Sequence, residues 1–373
     1  MQIIIILFGL FLMAWTLSDA FETMILPRTI ARRTRLTRLF YQLVSKIEYF
    51  ALRLSPSQSV RDMILNSYAP LSLLGLLVFW AFCLMLSFAC LLWGLHIPLS
   101  GNALFPSFAT YFYFSGVTFL TLGFGDITAL QGIGRFLAIC EAGTGFGFLA
   151  IVISYLPILY QCFSKREVVI CKLDARAGSP PTVAEILRRY AECGNMEELT
   201  ELLREFEQWS AELLESYLSY PILAFYRSQH DQQSWLSAIT AILDLCAVGR
   251  LRFADEREWQ KRLNWQAYLT FAMARHALID LALILYLEPE PPPQDRLPAE
   301  TWREMAQAME QWGAPLIGTA EETERQLTAM RKLYEPYAYA LSKRLFLELP
   351  PWKMQGSVAD NWQASAWEKD VHL

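Results

Sequence analysis

The sequence is short of charge. Asp, Glu, Lys and Arg make up only 18% of its 373 residues, against about 25% in an ordinary soluble protein. It has four histidines, and His230-Asp231 with His276 falls short of the ligand set that metal-dependent hydrolysis needs. None of the seven cysteines (83, 90, 140, 162, 171, 193 and 246) forms a CxxC pair. Most sit in apolar runs, where a buried free thiol is the default and a disulfide scaffold is not. No GxGxxG and no alternating βαβ pattern occur, which argues against a nucleotide-binding regulatory domain, and no β-rich stretch resembles a cyclic-nucleotide module. Neither half has the strongly basic balance that phosphate contacts need, so no nucleic-acid partner is expected. Nor is there a constellation of catalytic side chains, so the chain does not read as an enzyme.

What fills the space is apolar: 54% of the residues are hydrophobic and the mean hydropathy is +0.24. The surplus is uneven. Residues 1–163 hold nine Lys/Arg and six Asp/Glu, net +3, while residues 164–373 hold twenty-three and thirty-one, net −8. A membrane half followed by an acidic, water-exposed half accounts for that average. Three stretches are long enough to cross a bilayer core, which takes roughly 20 apolar residues. Pro70 to Leu95 carries no charge and ends near Trp93, suited to an interface. Ala142 to Ser164 is also uncharged and extends back through Glu141 and Arg135 to Gln131. Gln2 to Leu17 opens the chain and continues toward Pro27 through Asp19 and Glu22.

No Lys or Arg precedes the first of these runs, whereas a signal peptide carries its positive charge there. Arg28, Arg32, Arg33, Arg35 and Arg38 all follow it. The positive-inside rule therefore makes it an uncleaved span with its N-terminus outside. Segment 28–46 and Lys165-Arg166 then share the cytoplasmic side, giving a multi-pass protein of the plasma membrane with a cytoplasmic C-terminal domain. The spacing of Arg32, Arg35 and Arg38 resembles that of a voltage sensor, but 28–40 is too short and too charged to span. A cluster facing anionic lipid is the expectation. Residues 45–66 are expected to form an interfacial helix, a turn at Ser55-Pro56 and the lead-in to the second span.

Between the second and third spans, Asn102 to Ala129 is apolar and aromatic, yet its helix-compatible part, Phe108 to Thr118, is too short to cross. A re-entrant hairpin fits, and non-helical backbone at that depth is tolerated only where protein buries it or it lines a watery path. Here Thr121-Leu122-Gly123-Phe124-Gly125-Asp126 resembles the potassium-channel selectivity filter, Thr-Val-Gly-Tyr-Gly-Asp. Its setting also resembles that family: an outer helix, the aromatic run Tyr111 to Phe114, then an inner helix with glycines. The resemblance covers residues 68–163.

The resemblance implies a potassium-selective channel. K+ would be held by the backbone carbonyls of Thr121, Leu122, Gly123 and Phe124 and by the Thr121 hydroxyl, which replace the ion's hydration shell. Asp126 would attract cations at the outer mouth or brace the filter. Leu122, Phe124 and Leu120 depart from the usual Val, Tyr and Thr, and Val117 stands where some members of that family have Glu. Thr144-Gly145-Phe146-Gly147 lacks the spacer and the following Asp, so each chain has one filter string. Closing a ring of carbonyls then takes four chains, a homotetramer. Ions in the filter are the only cofactor expected, with no organic one.

In the third span, Gly143, Gly145 and Gly147 are candidates either for a gating hinge or for close packing, and Pro157 for a bend near the gate. Glu141, ionisable at membrane depth, is expected to brace the pore helix through Thr118 or Ser115.

Residues 164–350 read as a helical cytoplasmic domain. Val168 to Ala177 is a short link, Ser179 to Thr182 punctuates a helix start, and AEILRRYAECG ends at Gly194. Residues 195–218 continue the 3.6 period, and further helices are expected over 232–248, 256–287, 299–313 and 320–347. The Trp-rich tail, 351–373, is left either disordered or docked on a partner, and no regulatory ligand is legible. The organisation is therefore 1–27, 28–67, 68–163, 164–350 and 351–373, an all-α membrane protein with a tetrameric pore module. The rival reading is a membrane-anchored signalling or enzymatic protein with a non-conducting hairpin.

Overall fold

The computed structural model describes residues 1–25, 35–100, 106–229, 232–253, 258–312 and 314–354. The described residues form α-helices and short 3-10 turns, with two isolated bridges, Leu99 with Ala129 and Phe253 with Leu316, as their only β pairing. The protein is an all-α membrane protein. It divides into two compact units, Met1–Tyr160 and Gln161–Leu373.

The first unit is built on α3 (Gln58–Gly94), whose uncharged stretch lets it cross the bilayer. Ser57 caps it, accepting from the Val60 N–H, and Pro70 lies inside it. α1 (Gln2–Met24) lies along α3 at close range. The approach depends on missing side chains: a Cβ at Gly9 would stand 2.9 Å from the Ser87 carbonyl oxygen, and one at Gly94 2.6 Å from Ile6. The other side of α1 exposes Ile3, Ile4, Leu7 and Phe11, as a lipid-facing helix does. The amphipathic helix expected within 45–66 is α2, Leu36–Leu54. It starts earlier because Asp19 of α1 takes the Thr37 N–H (2.9 Å) at its first turn, supplying the acceptor a helix N-terminus needs. The turn follows at Ser55, and the rest of the expected stretch is already α3.

α4 (Phe108–Phe119) descends as a short helix against α3, with ring contacts Trp93–Phe108 at 5.2 Å and Phe82–Phe112 at 5.5 Å. The Tyr111 hydroxyl donates to the Ile97 carbonyl at 2.8 Å within a core of Leu92, Ile97, Phe114 and Ala129. α5 covers Gly132–Ala177. The link expected over Val168 to Ala177 is helical, because no breaker interrupts the chain before Gly178, whose φ of 82° ends the helix.

The second unit holds α6 (Val183–Glu192), α7 (Leu199–Ser219), α8 (Trp235–Gly249), α9 (Glu258–Ile284), α10 (Ala299–Gln311), α11 (Ala320–Arg331) and α12 (Glu335–Leu345). Every residue of α8 is buried, so it forms the centre around which the others gather. α9 is a fourth helix long and apolar enough to span a membrane. It packs instead along α7 and α8, buries Leu263, Ala267, Ala274, Leu278 and Leu281, and leaves Lys261, Arg262 and His276 outward. The run expected as one helix over 320–347 breaks in two. Pro336, in the first turn of α12, cannot donate back into a continuous helix.

Trp352, placed at the start of the tail by its composition, is fully buried, and its carbonyl accepts from the Ala184 N–H at 3.1 Å. A charge network lies beneath. Arg296 sits 2.6 Å from Asp244 and 2.9 Å from Glu335, donates to the Pro350 carbonyl, and Arg331 closes the set on Glu335 at 3.0 Å. Buried charges persist when paired and fully hydrogen-bonded in this way. The Tyr334 hydroxyl, donating to Asp244 within the network, is pushed well above its ordinary pKa by burial. Trp362 and Trp367 lie outside the described residues.

Candidate functional site

The site begins where α4 stops. Two backbone bonds turn the chain: the Thr121 N–H to the Thr118 carbonyl (3.0 Å) and the Leu122 N–H to the Val117 carbonyl (2.9 Å). Residues 122–125 are then neither helix nor strand. Thr121, Gly123 and Gly125 have φ of 56°, 62° and 76°, while Leu122 and Phe124 between them stay on the negative side. In a strand, successive residues face opposite ways. Left-handed backbone at every second residue reverses that alternation and lets consecutive carbonyls share one side. Gly123 and Gly125 reach those angles without a Cβ penalty.

The far end of the segment is held twice. Asp126 accepts from the Tyr113 hydroxyl of α4 at 2.8 Å. Beyond it, the Thr128 N–H donates to Ser100 Oγ (2.7 Å), the Ser100 N–H to the Thr128 carbonyl (2.8 Å) and the Leu130 N–H to the Pro98 carbonyl (3.0 Å). Those bonds tie the returning chain to the segment that follows α3. One face stays open: Leu122 is 52% and Phe124 65% exposed in the single chain.

Behind the segment, Glu141 of α5 is completely buried and bonded to Ser115 of α4. Of its two expected partners, Ser115 makes the contact; the Thr118 carbonyl instead closes the turn into the segment. One turn along both helices, a Cβ at Gly145 would stand 1.9 Å from the Phe119 carbonyl oxygen, and Phe119 meets Phe148 at 6.1 Å. Gly145 is therefore a second place where α5 and α4 touch. Gly143 and Gly147 have nothing within 4 Å of an added Cβ in the chain. α5 continues as helix through Pro157.

An ion channel family model matches residues 73–161, the stretch just described. Protein LctB of Bacillus caldotenax is 33% identical over 93 residues, covering 22% of this chain and 67% of that protein. The chain belongs to the ion channel family. No solved structure matches it.

Several other residues singled out by the sequence lie in the first unit. Glu22 pairs with Arg35 at 2.9 Å, so Arg35 is engaged inside the protein and is not a free lipid-facing charge. Asp19 takes the Trp80 indole N–H (2.9 Å) and both the N–H and hydroxyl of Thr37 (2.9 and 2.6 Å) on one oxygen. It thereby joins α1, α2 and α3. Arg38 is half-buried; Arg28, Arg32 and Arg33 lie outside the described residues, as does His230-Asp231.

Arg166 carries a role the sequence did not reveal beyond marking the cytoplasmic side. Within the second unit it is buried, donating to the Tyr217 hydroxyl (2.7 Å), the Leu223 carbonyl (3.0 Å), the Tyr226 carbonyl (2.9 Å) and Glu167 (2.8 Å). It fixes the last turns of α5 to α7 and to the 3-10 turn Pro221–Phe225. Burial pushes the Tyr217 hydroxyl up to about 12. Tyr113 was likewise missed as Asp126's partner. Its signal was a hydroxyl on the one short helix that precedes the filter string.

Proposed function

We propose that this ion channel is potassium-selective and works as a homotetramer in the plasma membrane. Four copies of Thr121-Leu122-Gly123-Phe124-Gly125-Asp126 surround one axis, and the carbonyls of Thr121, Leu122, Gly123 and Phe124, with the Thr121 hydroxyl, ligate K+ in place of water. The observation that carries this reading is the left-handed φ at Thr121, Gly123 and Gly125 in a non-helical segment between a short helix and a long one.

The tetramer is supported by what one chain leaves uncovered. Leu122, Phe124 and, on α5, Phe136, Ile139 and Phe146 are large exposed apolar groups beside non-helical backbone. At membrane depth such backbone needs protein or a water-filled path around it. Neighbouring copies supply the first and the pore supplies the second. Asp126, braced by Tyr113, stands at the outer mouth and draws cations in. α5 lines the inner pore, with the gate toward Pro157. The second unit is cytoplasmic and regulates or assembles the pore. The N-terminus of α1 lies outside, and the basic segment 28–38 meets anionic lipid where its charges are not already paired.

The test is potassium flux from liposomes carrying the full chain, alone and as the Gly123→Asp variant. Flux that the variant abolishes is expected. Flux indifferent to the substitution, or none from the unaltered chain, would overturn the reading.

A further inference from the structure

The contact between Glu141 and Ser115 contains a proton-counting constraint. A serine hydroxyl has one proton and donates once. Ser115 Oγ lies 2.7 Å from the Met85 carbonyl oxygen of α3 and also bonds Glu141 Oε1 of α5. The Met85 carbonyl can only accept. An ionised Glu141 can also only accept, and the two would compete for one proton. The second oxygen, Oε2, is buried without a partner. On an ionised carboxylate it would share the negative charge with no donor near it, at a steep desolvation cost. On a neutral acid it is an ordinary carbonyl-type oxygen.

Asp19 in the same unit shares one feature with it: its Oδ1 is also buried without a partner. The difference lies in the other oxygen, which takes three donors, from the Trp80 indole and from the N–H and hydroxyl of Thr37, where Glu141 meets one shared serine hydroxyl.

We infer that Glu141 is a neutral acid whose hydroxyl donates to Ser115, which in turn donates to the Met85 carbonyl, locking inner helix, pore helix and outer helix together behind the filter. The direction of both bonds follows from the donor inventory. The lock acts with the Gly145–Phe119 contact one turn away, so α5 and α4 are held at two points along their shared face. Glu141 is a positioning residue: it touches no ion, and it acts through the helix that ends where the filter begins. This inference rests on reading residues 121–126 as a filter for its effect on ions, but not for the protonation itself.

The experiment uses the full chain reconstituted in liposomes. The infrared spectrum of the unaltered protein minus that of Glu141→Gln is expected to show the carbonyl stretch of a protonated carboxylic acid, missing in the variant. Glu141→Gln retains a donor toward Ser115 and is expected to keep the K+ flux and the K+/Na+ preference of the unaltered chain. Ser115→Ala and Glu141→Ala are expected to lower that preference roughly tenfold, the scale of one lost buried hydrogen bond. Ser115→Ala, which removes one oxygen, is the readout should Glu141→Ala fail to fold. Absence of the acid band, or Ser115→Ala indistinguishable from the unaltered chain, overturns the inference. If the unaltered chain carries no flux, the filter reading fails and the band alone decides the protonation.

Discussion

Gly145→Ala puts the α5–α4 contact to its hardest test. The added methyl would stand 1.9 Å from the Phe119 carbonyl oxygen and 3.2 Å from its Cα, where ordinary contact begins at 3.4 Å. The neighbour is backbone in the last turn of the pore helix, so no side-chain rotation relieves it. α5 must lift away, and the lift pulls on Glu141 and Ser115 one turn along the same face. Overpacking of a well-filled site costs about 1–3 kcal/mol, and a strained buried hydrogen bond adds about 1 kcal/mol. Gly143→Ala and Gly147→Ala meet nothing within 4 Å in the chain and gain about 0.8–1 kcal/mol of helix propensity. The assay is a thermal melt of the detergent-solubilised assembly together with liposome flux. Gly145→Ala is expected to melt lower and lose flux, while the other two melt at or above the unaltered protein. Flux unchanged in Gly145→Ala, or a larger loss of stability in Gly143→Ala, would refute the contact. A change of open probability at Gly143 or Gly147 without loss of stability would assign the hinge there.

Three further outcomes are expected. Arg166→Gln leaves the Tyr217 hydroxyl and the Leu223 and Tyr226 carbonyls without their shared donor; removing one partner of such a buried cluster costs about 3–5 kcal/mol, visible in chemical denaturation of the full chain. Tyr217 titrates at about 12 in the folded protein against 10.0 ordinarily. The unfolded chain therefore releases its proton first, and the stability held below pH 10 is lost as pH rises toward 12; Tyr217→Phe removes that slope in denaturation profiles. Asp19→Leu strands the Trp80 indole and the first turn of α2 and costs about 3 kcal/mol, whereas Asp19→Asn, which keeps an acceptor oxygen, costs less in the same melt.

The helices of the membrane half were legible because the bilayer demands length and freedom from charge, and Pro70 to Leu95 supplies both. The non-helical stretch after α4 was legible because Gly123 and Gly125 recur at the spacing that alternating backbone requires. Three-dimensional partnership was not legible. Nothing local distinguishes Glu141's choice of Ser115 over Thr118, which depends on the rotation of α5 against α4. The start of α2 was misplaced because its N-terminus is capped by Asp19, a residue eighteen positions away. Arg166 read only as a marker of the cytoplasmic side because sequence spacing cannot show that Tyr217 and Tyr226 will close around it. α9 shows the converse: its length and hydropathy suit a membrane, but those apolar residues form the interior of the second unit.

The central claim, a potassium-selective pore made by four copies of residues 121–126, is tested most directly by the reversal potential of single-channel currents with K+ on one side of a bilayer and Na+ on the other. The account predicts unitary currents that reverse strongly toward the potassium equilibrium potential. Currents reversing near zero, or no unitary currents from the intact chain, would contradict it.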